Sequence, residues 1–373
     1  MSLIADLVQS VFDPNRDPHA IPMLDGPLSP NADLDAAREV APGFDQPDDV
    51  VEGADGALYV SDNKSILRCE PPNFAEVSVW ARFEQRVSAL AVHPGGGLVV
   101  GLTGNGLCLL DAQGTPGARL HRAGDRSLDC VTALAVAADG GIYIANGSQH
   151  SNSSQWLQDL MSVRAPSGGI FLADSELRTA EIKMSGLAWP YGLTLTDADN
   201  KLWFNQAWSH ALSYVEVSTG NSRAVQSNTA YYPARLRADA SGTLWQACFA
   251  LRSPLVEFVL REATYREEMI ATISPELWVA PSLRAGADCR EPAQFGSLRK
   301  LGIQKPWAPA RSYGLVVKLS SRGEPRQSWH SRVDGSCHGL TSVCPLTDGR
   351  VIVVSKGHGK LLWLVDAPAV GVA

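Results

Sequence analysis

A polar turn that carries glycine, followed by a short apolar run, recurs six times along the chain. The six runs begin at Gly56, Gly97, Gly141, Lys201, Gly242 and Gly349. Glycine supplies the positive φ that tight hairpin turns need, and the runs are rich in β-branched and aromatic residues. Four of them follow another apolar run that ends in the same turn, so the pattern predicts a series of β-hairpins.

The repeats lie about 40 residues apart, except at two longer intervals. A period of this length with several short strands is typical of β-propeller blades. A β-sandwich with extra loops accounts less well for six near-equal units. The sequence therefore predicts an all-β, six-bladed β-propeller with a Ser-rich insertion at 148–167. A second insertion, at about 250–312, follows the fifth repeat and contains a helix over Pro254–Ile273. We expect Phe258 on the apolar face of this helix and Glu257 on its solvent-exposed face.

Residues 1–45 carry few strand signals and are rich in proline between positions 14 and 30. We expect them to form an extension that packs on a propeller of residues 46–373. The first 13 residues lack a basic region and a long apolar stretch, so no signal peptide is expected. No apolar run reaches the ~18 residues that a membrane-spanning helix needs.

The composition narrows the possible partners. Lys and Arg number 32 against 39 Asp and Glu, a net charge of −7, and no dense basic run occurs. Nucleic-acid and membrane partners are therefore not expected. The seven cysteines are scattered without a C-x-x-C pair, which favours a cytoplasmic protein without a cysteine metal site. The oligomeric state stays open.

Several stretches resemble one branch of the six-bladed propellers. They include Gly168–Asp174, Leu187–Leu195, Leu202–Trp208, Tyr232–Asp239 and His338–Val343. In these stretches and in their order, the chain resembles the strictosidine synthase-like proteins. Their superfamily also contains gluconolactonases, senescence-marker-type lactonases and paraoxonases. The resemblance implies a small-molecule enzyme with its site in the central channel.

The lactonases of this superfamily hold Ca²⁺ or another divalent ion on acidic and Asn side chains at the top of the channel. Carried over to this chain, the acid of the first blade falls on Asp48. The other ligand positions fall on residues that suit a hard cation poorly: Val131, Thr132, Tyr191, Ala234 and Arg235. We therefore predict no metal or other cofactor. The alternative is Ca²⁺ bound through Asp48 and ligands that the resemblance does not match.

Four residues are the main candidates for chemistry. Arg235 and Tyr191 would hold the substrate or stabilise an oxyanion, while His338 or Asp48 would move the proton. The structural alternative is a buried Arg235–Asp48 ion pair that replaces a metal. Ser342 falls where the alkaloid-forming synthases carry their acid/base Glu. It cannot transfer protons as a carboxylate does, and it is a candidate for substrate binding.

Three further residues are candidates for substrate binding. Asn146 opens the Ser-rich insertion, and Trp208 and His210 follow the fourth repeat. A turn-forming Asn, a pocket-rim Trp and a solvated His are the ordinary alternatives.

The sequence contains no G-x-S-x-G, H-E-x-x-H, P-loop or G-x-G-x-x-G motif. The favoured function is therefore a hydrolase of lactone or ester type that acts on a small organic substrate, for which an anionic group is one option. One alternative is a metal-free enzyme of specialised metabolism that forms C–C or C–N bonds or cyclises its substrate. Another is a non-catalytic ligand-binding propeller.

Overall fold

The computed structural model describes residues 20–284, 299–300, 303–304 and 311–364. Six four-stranded antiparallel sheets follow one another along the chain as the blades of a six-bladed β-propeller, which confirms the predicted fold. The innermost strands of successive blades contact one another around a closed ring, so they line a central channel.

Strand β1 (Arg38–Glu39) comes first in the chain and belongs to the sixth blade. Blade 1 contains β2 (Pro47–Glu52), β3 (Leu58–Asp62), β4 (Ser65–Cys69) and β5 (Val77–Arg82). Blade 2 contains β6 (Val87–Val92), β7 (Leu98–Leu102), β8 (Leu107–Leu110) and β9 (Pro116–Leu120). A small hairpin, β10 (Arg122–Ala123) with β11 (Arg126–Ser127), precedes blade 3. Blade 3 contains β12 (Val131–Val136), β13 (Ile142–Asn146), β14 (Gly168–Ala173) and β15 (Ala180–Leu187).

Blade 4 contains β16 (Pro190–Thr196), β17 (Lys201–Gln206), β18 (Ala211–Glu216) and β19 (Ser222–Gln226). Blade 5 contains β20 (Tyr231–Ala238), β21 (Leu244–Leu251), β24 (Gly314–Leu319) and β25 (Pro325–Ser331). Its insertion includes a hairpin of β22 (Arg299–Lys300) and β23 (Ile303–Gln304). Blade 6 contains β26 (Leu340–Pro345), β27 (Val351–Ser355), β28 (Lys360–Leu364) and β1.

The six repeats of the sequence correspond to the second strand of each blade. The apolar runs before them are innermost strands, as in the pairing of β6 with β7 and of β26 with β27. The hydrophobic core lies between neighbouring blades. For example, Val50 and Leu58 of blade 1 are fully buried in one cluster with Ile352 of blade 6. Burial on both faces explains why these strands are apolar throughout rather than alternating.

The N-terminal extension supplies a strand to the propeller. Arg38 and Glu39 pair with Trp363 and Leu362, so a segment from the start of the chain completes the last blade. Upstream of this strand, Leu34 is fully buried in the largest apolar cluster. The ring is therefore closed by pairing between the two ends of the chain.

The insertions contain the helices. Helix α1 (Trp156–Met161) lies in the Ser-rich insertion, and α2 (Pro254–Arg261) and α3 (Ala263–Thr272) lie between β21 and β24. The single helix predicted over Pro254–Ile273 is wrong, because the chain leaves helical geometry at Glu262 (φ −95°, ψ 83°). The assignment of Glu257 to a wet face is also wrong.

Glu257 is buried because it forms a two-point ion pair with Arg252, at 2.9 and 3.0 Å. Phe258, expected on the apolar face, is 60 % exposed. Among the described residues, no helix is long and apolar enough to cross a membrane.

Candidate functional site

All six innermost strands carry a β-bulge at the end where they begin. Register shifts against the second strand occur at this end in every blade. The residues left out of the pairing are Asp48, Asp49, Ser88, Thr132, Tyr191, Ala234, Arg235 and Thr341. A bulge frees a residue from the ladder and re-aims its side chain. This end of the channel, called the mouth below, is therefore built from unpaired backbone.

The guanidinium of Arg235 joins several blades at the mouth. Its Nη1 donates to the Asp48 carbonyl at 2.8 Å, the Asp48 carboxylate at 3.1 Å and the Thr341 carbonyl at 3.1 Å. Its Nη2 donates to the Ser88 carbonyl, and its Nε lies 3.1 Å from the carboxylate of Asp49. The side chain is only 1 % exposed. One cation thus holds oxygen atoms of blades 1, 2 and 6.

Asp49 is fully buried beside this guanidinium and has many donors. It accepts hydrogen bonds from the backbone amides of Val50 and Leu90 and from the Ser342 hydroxyl, at 2.7–2.9 Å. Arg237 approaches it at 3.3 Å. These donors fix Asp49 as an internal counter-ion, and we call Arg235, Arg237, Asp48 and Asp49 the guanidinium cluster.

Electrostatics keep this cluster charged. Burial alone would raise the pKa of Asp48, but the charges of Lys356 and Arg235 outweigh it and lower that pKa from 3.8 to about 2. Burial alone would lower the pKa of Arg235, and the carboxylates of Asp49 and Asp48 raise it instead. Asp48 is therefore ionised throughout the neutral range.

A cavity of about 230 Å³ lies at the mouth next to Asp48. Its charged lining residues are Asp48, Arg86 and Lys356. Lys356, which follows β27, donates to the free oxygen of the Asp48 carboxylate at 2.8 Å. Both insertions contribute to the wall, through Trp156 and Leu283. The cavity is thus a small polar pocket with an apolar side.

Tyr191 and Ser342 lie in the same region as Arg235. The Tyr191 ring faces the guanidinium, with Cζ of Arg235 5.2 Å from the ring centre. Burial raises the pKa of Tyr191, so its phenol stays protonated. Ser342 is fully buried, and its hydroxyl is committed to Asp49.

The described contacts of His338 lie elsewhere, between blades 5 and 6. Its Nε2 lies 2.6 Å from the Arg332 carbonyl, which fixes the proton on that nitrogen, and its Nδ1 accepts from the Ser312 hydroxyl at 2.8 Å. Both side chains are almost fully buried. The described contacts do not join His338 to Asp48 or Arg235, and its role in moving the proton stays a prediction.

The other three predicted residues have structural contacts. Asn146 accepts from the Cys130 amide at 2.9 Å and donates to the Ser148 carbonyl at 2.8 Å. Trp208 donates to Asp159 of α1 at 2.9 Å. His210 is buried 3.9 Å from Glu257 of α2. Trp208 and His210 thus connect blade 4 to the two helical insertions.

The charged residues that face the cavity beside Asp48 were missed by sequence reasoning. Lys356 and Arg86 belong to loops on different blades, and neither occurs in a motif. Lys356 follows the second strand of the last blade, while Arg86 directly precedes the inner strand of blade 2. The available signal was that both positions lie at the end of their blade where the inner strand begins.

A divalent ion does not fit the mouth as these residues build it. The oxygen atoms that converge there are already held by the Arg235 guanidinium, a permanent cation. In the part of the chain that the structure describes, no three His, Cys, Asp or Glu side chains form a metal-binding group. The residues at this point thus suit a fixed organic cation rather than Ca²⁺.

A larger groove of about 790 Å³ lies away from the mouth, between the turns of blades 3 and 4. Its aspartates bind backbone amides of turns. Asp139, Asp174 and Asp199 accept from the backbone amides of Gly141, Thr179 and Ala138. The smaller cavity at the mouth is the better candidate site because two cations and a carboxylate line it at one end of the central channel.

The six-bladed fold is similar to that of several solved propellers. A gluconolactonase of Xanthomonas campestris is similar over 88 % of this chain and 90 % of its own, with a TM-score of 0.58 and 14 % identity. Regucalcin of Agrobacterium tumefaciens, a calcium-binding protein, is similar over 88 % and 92 %, with a TM-score of 0.56 and 12 % identity.

A further structure, described as a putative gluconolactonase, has a TM-score of 0.55 and 12 % identity over 88 % of this chain and 90 % of its own. No family model matches the sequence. No curated protein matches it either. At these identities, the similarity establishes the shared fold.

Proposed function

We propose that the protein is a hydrolase of lactone or ester type whose reaction takes place in the cavity at the mouth without a divalent ion. The observation that carries the proposal is the Lys356–Asp48 ion pair, which faces the cavity directly above the Arg235 guanidinium. The gluconolactonases of the same fold support the reaction type by analogy.

Lys356 is the group suited to polarise a carbonyl. Its ammonium carries three donors, of which the Asp48 carboxylate takes one. A donor fixed beside a substrate carbonyl stabilises the negative oxygen that forms when water adds to the carbon. Collapse of this adduct breaks the ring or ester C–O bond, and the leaving oxygen takes the proton that the water loses.

Asp48 is suited to orient the attacking water. Its carboxylate is held on both sides, by Arg235 at 3.1 Å and by Lys356 at 2.8 Å. Because its pKa is about 2, it accepts a hydrogen bond from water but is a weak proton acceptor. The reaction expected of this pair is therefore hydrolysis of activated acyl groups.

Hydrolysis of γ- and δ-lactones and aryl esters, followed in a pH-stat with EDTA present, tests the proposal. Lys356→Met should lower kcat/KM by about 10²–10³. Lys183→Met, on an outer strand of blade 3, is the control and should keep the full rate. Rates equal to those in buffer, or full activity of Lys356→Met, would refute the proposal.

The second candidate is a non-catalytic ligand-binding propeller. The burial of the Arg235 guanidinium favours it, because a cation that is only 1 % exposed and already contacts three carbonyls and two carboxylates is poorly accessible to a substrate. Saturable binding of small molecules, with no turnover across the same panel, would select this candidate.

A further inference from the structure

The cavity at the mouth has more positive than negative groups. Arg86 and Lys356 line it together with one carboxylate, that of Asp48. Both oxygens of this carboxylate are engaged, one by Arg235 and the other by Lys356. Asp62, nearby in the chain, binds the backbone amides of Asp45 and Gln46 and does not line the cavity.

The layer beneath the cavity adds to this excess. Arg235 and Arg237 both pair with Asp49, whose oxygens accept from two backbone amides as well. Counting the guanidinium cluster with Arg86 and Lys356, four cations face two carboxylates. These groups therefore give the cavity and the layer beneath it an excess of cations, although the whole chain carries a net charge of −7.

Donors remain for a ligand in the cavity. Among the described contacts, the Arg86 guanidinium donates only to the side chain of Gln46, and the Lys356 ammonium donates only to Asp48. An arginine has five N–H donors and a lysine three. Two half-buried cations on one cavity thus keep donors directed at an incoming anion.

The walls limit the size and character of the ligand. Trp156 and Leu283 provide an aromatic and an aliphatic surface. The hydroxyls of two further lining residues, Thr103 and Ser153, form a hydrogen bond of 2.8 Å, which connects the first insertion to blade 2. A volume of about 230 Å³ accepts a small molecule with one ring.

We infer that the cavity binds small carboxylates, with the anionic group between Lys356 and Arg86 and an apolar or aromatic body against Trp156. Arg235, the sequence-based candidate for this role, acts from beneath as part of the fixed positive field. The inference rests on the proposed site but not on turnover. If hydrolysis takes place, it implies a substrate or product that carries a carboxylate.

Benzoate and benzamide are matched probes, because they share size and shape and differ in charge. Ligand-observed NMR on the full chain should show benzoate binding at least 10-fold more tightly than benzamide, with an affinity that falls as salt is raised. Equal affinities for the two probes would overturn the inference. So would the absence of benzoate binding at concentrations up to 10-fold above those used for benzamide.

Variants assign the anion contacts. Lys356→Met and Arg86→Gln should each weaken benzoate binding about 10-fold and leave benzamide unchanged, while Lys183→Met should bind as the parent does. Thermal melts confirm that each variant is folded. Unchanged benzoate binding in both Lys356→Met and Arg86→Gln would overturn the assignment.

The outcomes for binding and turnover are separable. Selective benzoate binding without hydrolysis of any lactone or ester would refute the hydrolase and keep the carboxylate site. Hydrolysis of neutral lactones that benzoate does not inhibit would keep the hydrolase and refute the carboxylate site.

Discussion

Replacing Arg235 with alanine removes the cation that joins the innermost strands at the mouth. The carbonyls of Asp48, Ser88 and Thr341 lose a donor, and Asp49 loses one of its two arginines. Three lost hydrogen bonds at ~1 kcal/mol each give about 3 kcal/mol. Removal of one partner from a buried ion pair costs about 3–5 kcal/mol, a range that already includes the hydrogen bonds lost with it, so the two figures are not added and we expect about 4 kcal/mol.

Urea unfolding of the full chain, followed by tryptophan fluorescence, measures this loss. Urea is the appropriate denaturant because guanidinium itself should act as a ligand of the variant. Added guanidinium ion at low millimolar concentration should restore part of the stability of Arg235→Ala, since it can occupy the vacated oxygen cage. Arg235→Lys should lie between the two, because an ammonium keeps the charge but cannot reach all of the oxygens.

Arg326→Ala is the matched control. This arginine is 61 % exposed and pairs with Glu324 on the surface, so its removal should change the unfolding free energy by less than about 0.5 kcal/mol. If Arg235→Ala lowers the unfolding free energy by less than about 1 kcal/mol, close to the loss in the control, the structural role of the guanidinium is refuted.

Three further predictions concern charge and closure. The pKa of Asp48 is lowered from 3.8 to about 2, so its ionised form should add about 2 kcal/mol to the free energy of unfolding above pH 4. This contribution should be lost as the pH falls through 2. The urea midpoints of the parent and Asp48→Asn should therefore converge only at the acid end, and a pH-independent difference between them would contradict this. Deletion of residues 1–39 removes the strand that closes the sixth blade and should lower the Tm by at least ~5 °C in calorimetry; an unchanged Tm would show that closure does not depend on it. Glu257→Ala removes the buried carboxylate that pairs with Arg252 and should lower the free energy of unfolding in urea by about 3–5 kcal/mol. The control Glu267→Ala, at an exposed position, should lower it by less than about 0.5 kcal/mol. Equal losses would argue against a buried ion pair.

The propeller could be predicted because its signal is repeated and local. Each blade needs a glycine-containing turn and two buried apolar strands, so Gly97 with β7 and Gly349 with β27 carry the same information. The strand from the N-terminus could not be predicted. Arg38 and Glu39 are both exposed, and only their pairing with β28 makes them a strand.

The site was predictable in position and not in chemistry. The resemblance brings Asp48, Tyr191 and Arg235 to one place, and the structure has them in contact. The sequence does not show that bulges turn the carbonyls of Ser88 and Thr341 toward the guanidinium, because every residue type has the same backbone carbonyl. The described contacts of Arg235 are with carbonyls and carboxylates of three blades, and its assignment to the substrate stays a prediction.

The burial of Glu257 illustrates the same limit on the insertion. A glutamate on an amphipathic helix is expected in solvent, and only a partner from outside the helix reverses this. Arg252 lies five residues away, at the end of β21, and its position depends on how the helix starts. Pairings of this kind follow from the assembled fold.

The most direct test of the account is the metal content and calcium response of the purified full chain. The guanidinium of Arg235 holds the oxygen atoms that a divalent ion would need, so we predict no stoichiometric metal and no rise in Tm on titration with Ca²⁺. A bound ligand stabilises the folded state by mass action, so a real site would raise the Tm. One equivalent of metal together with a clear Ca²⁺-dependent rise would contradict the account and indicate a metal-dependent site.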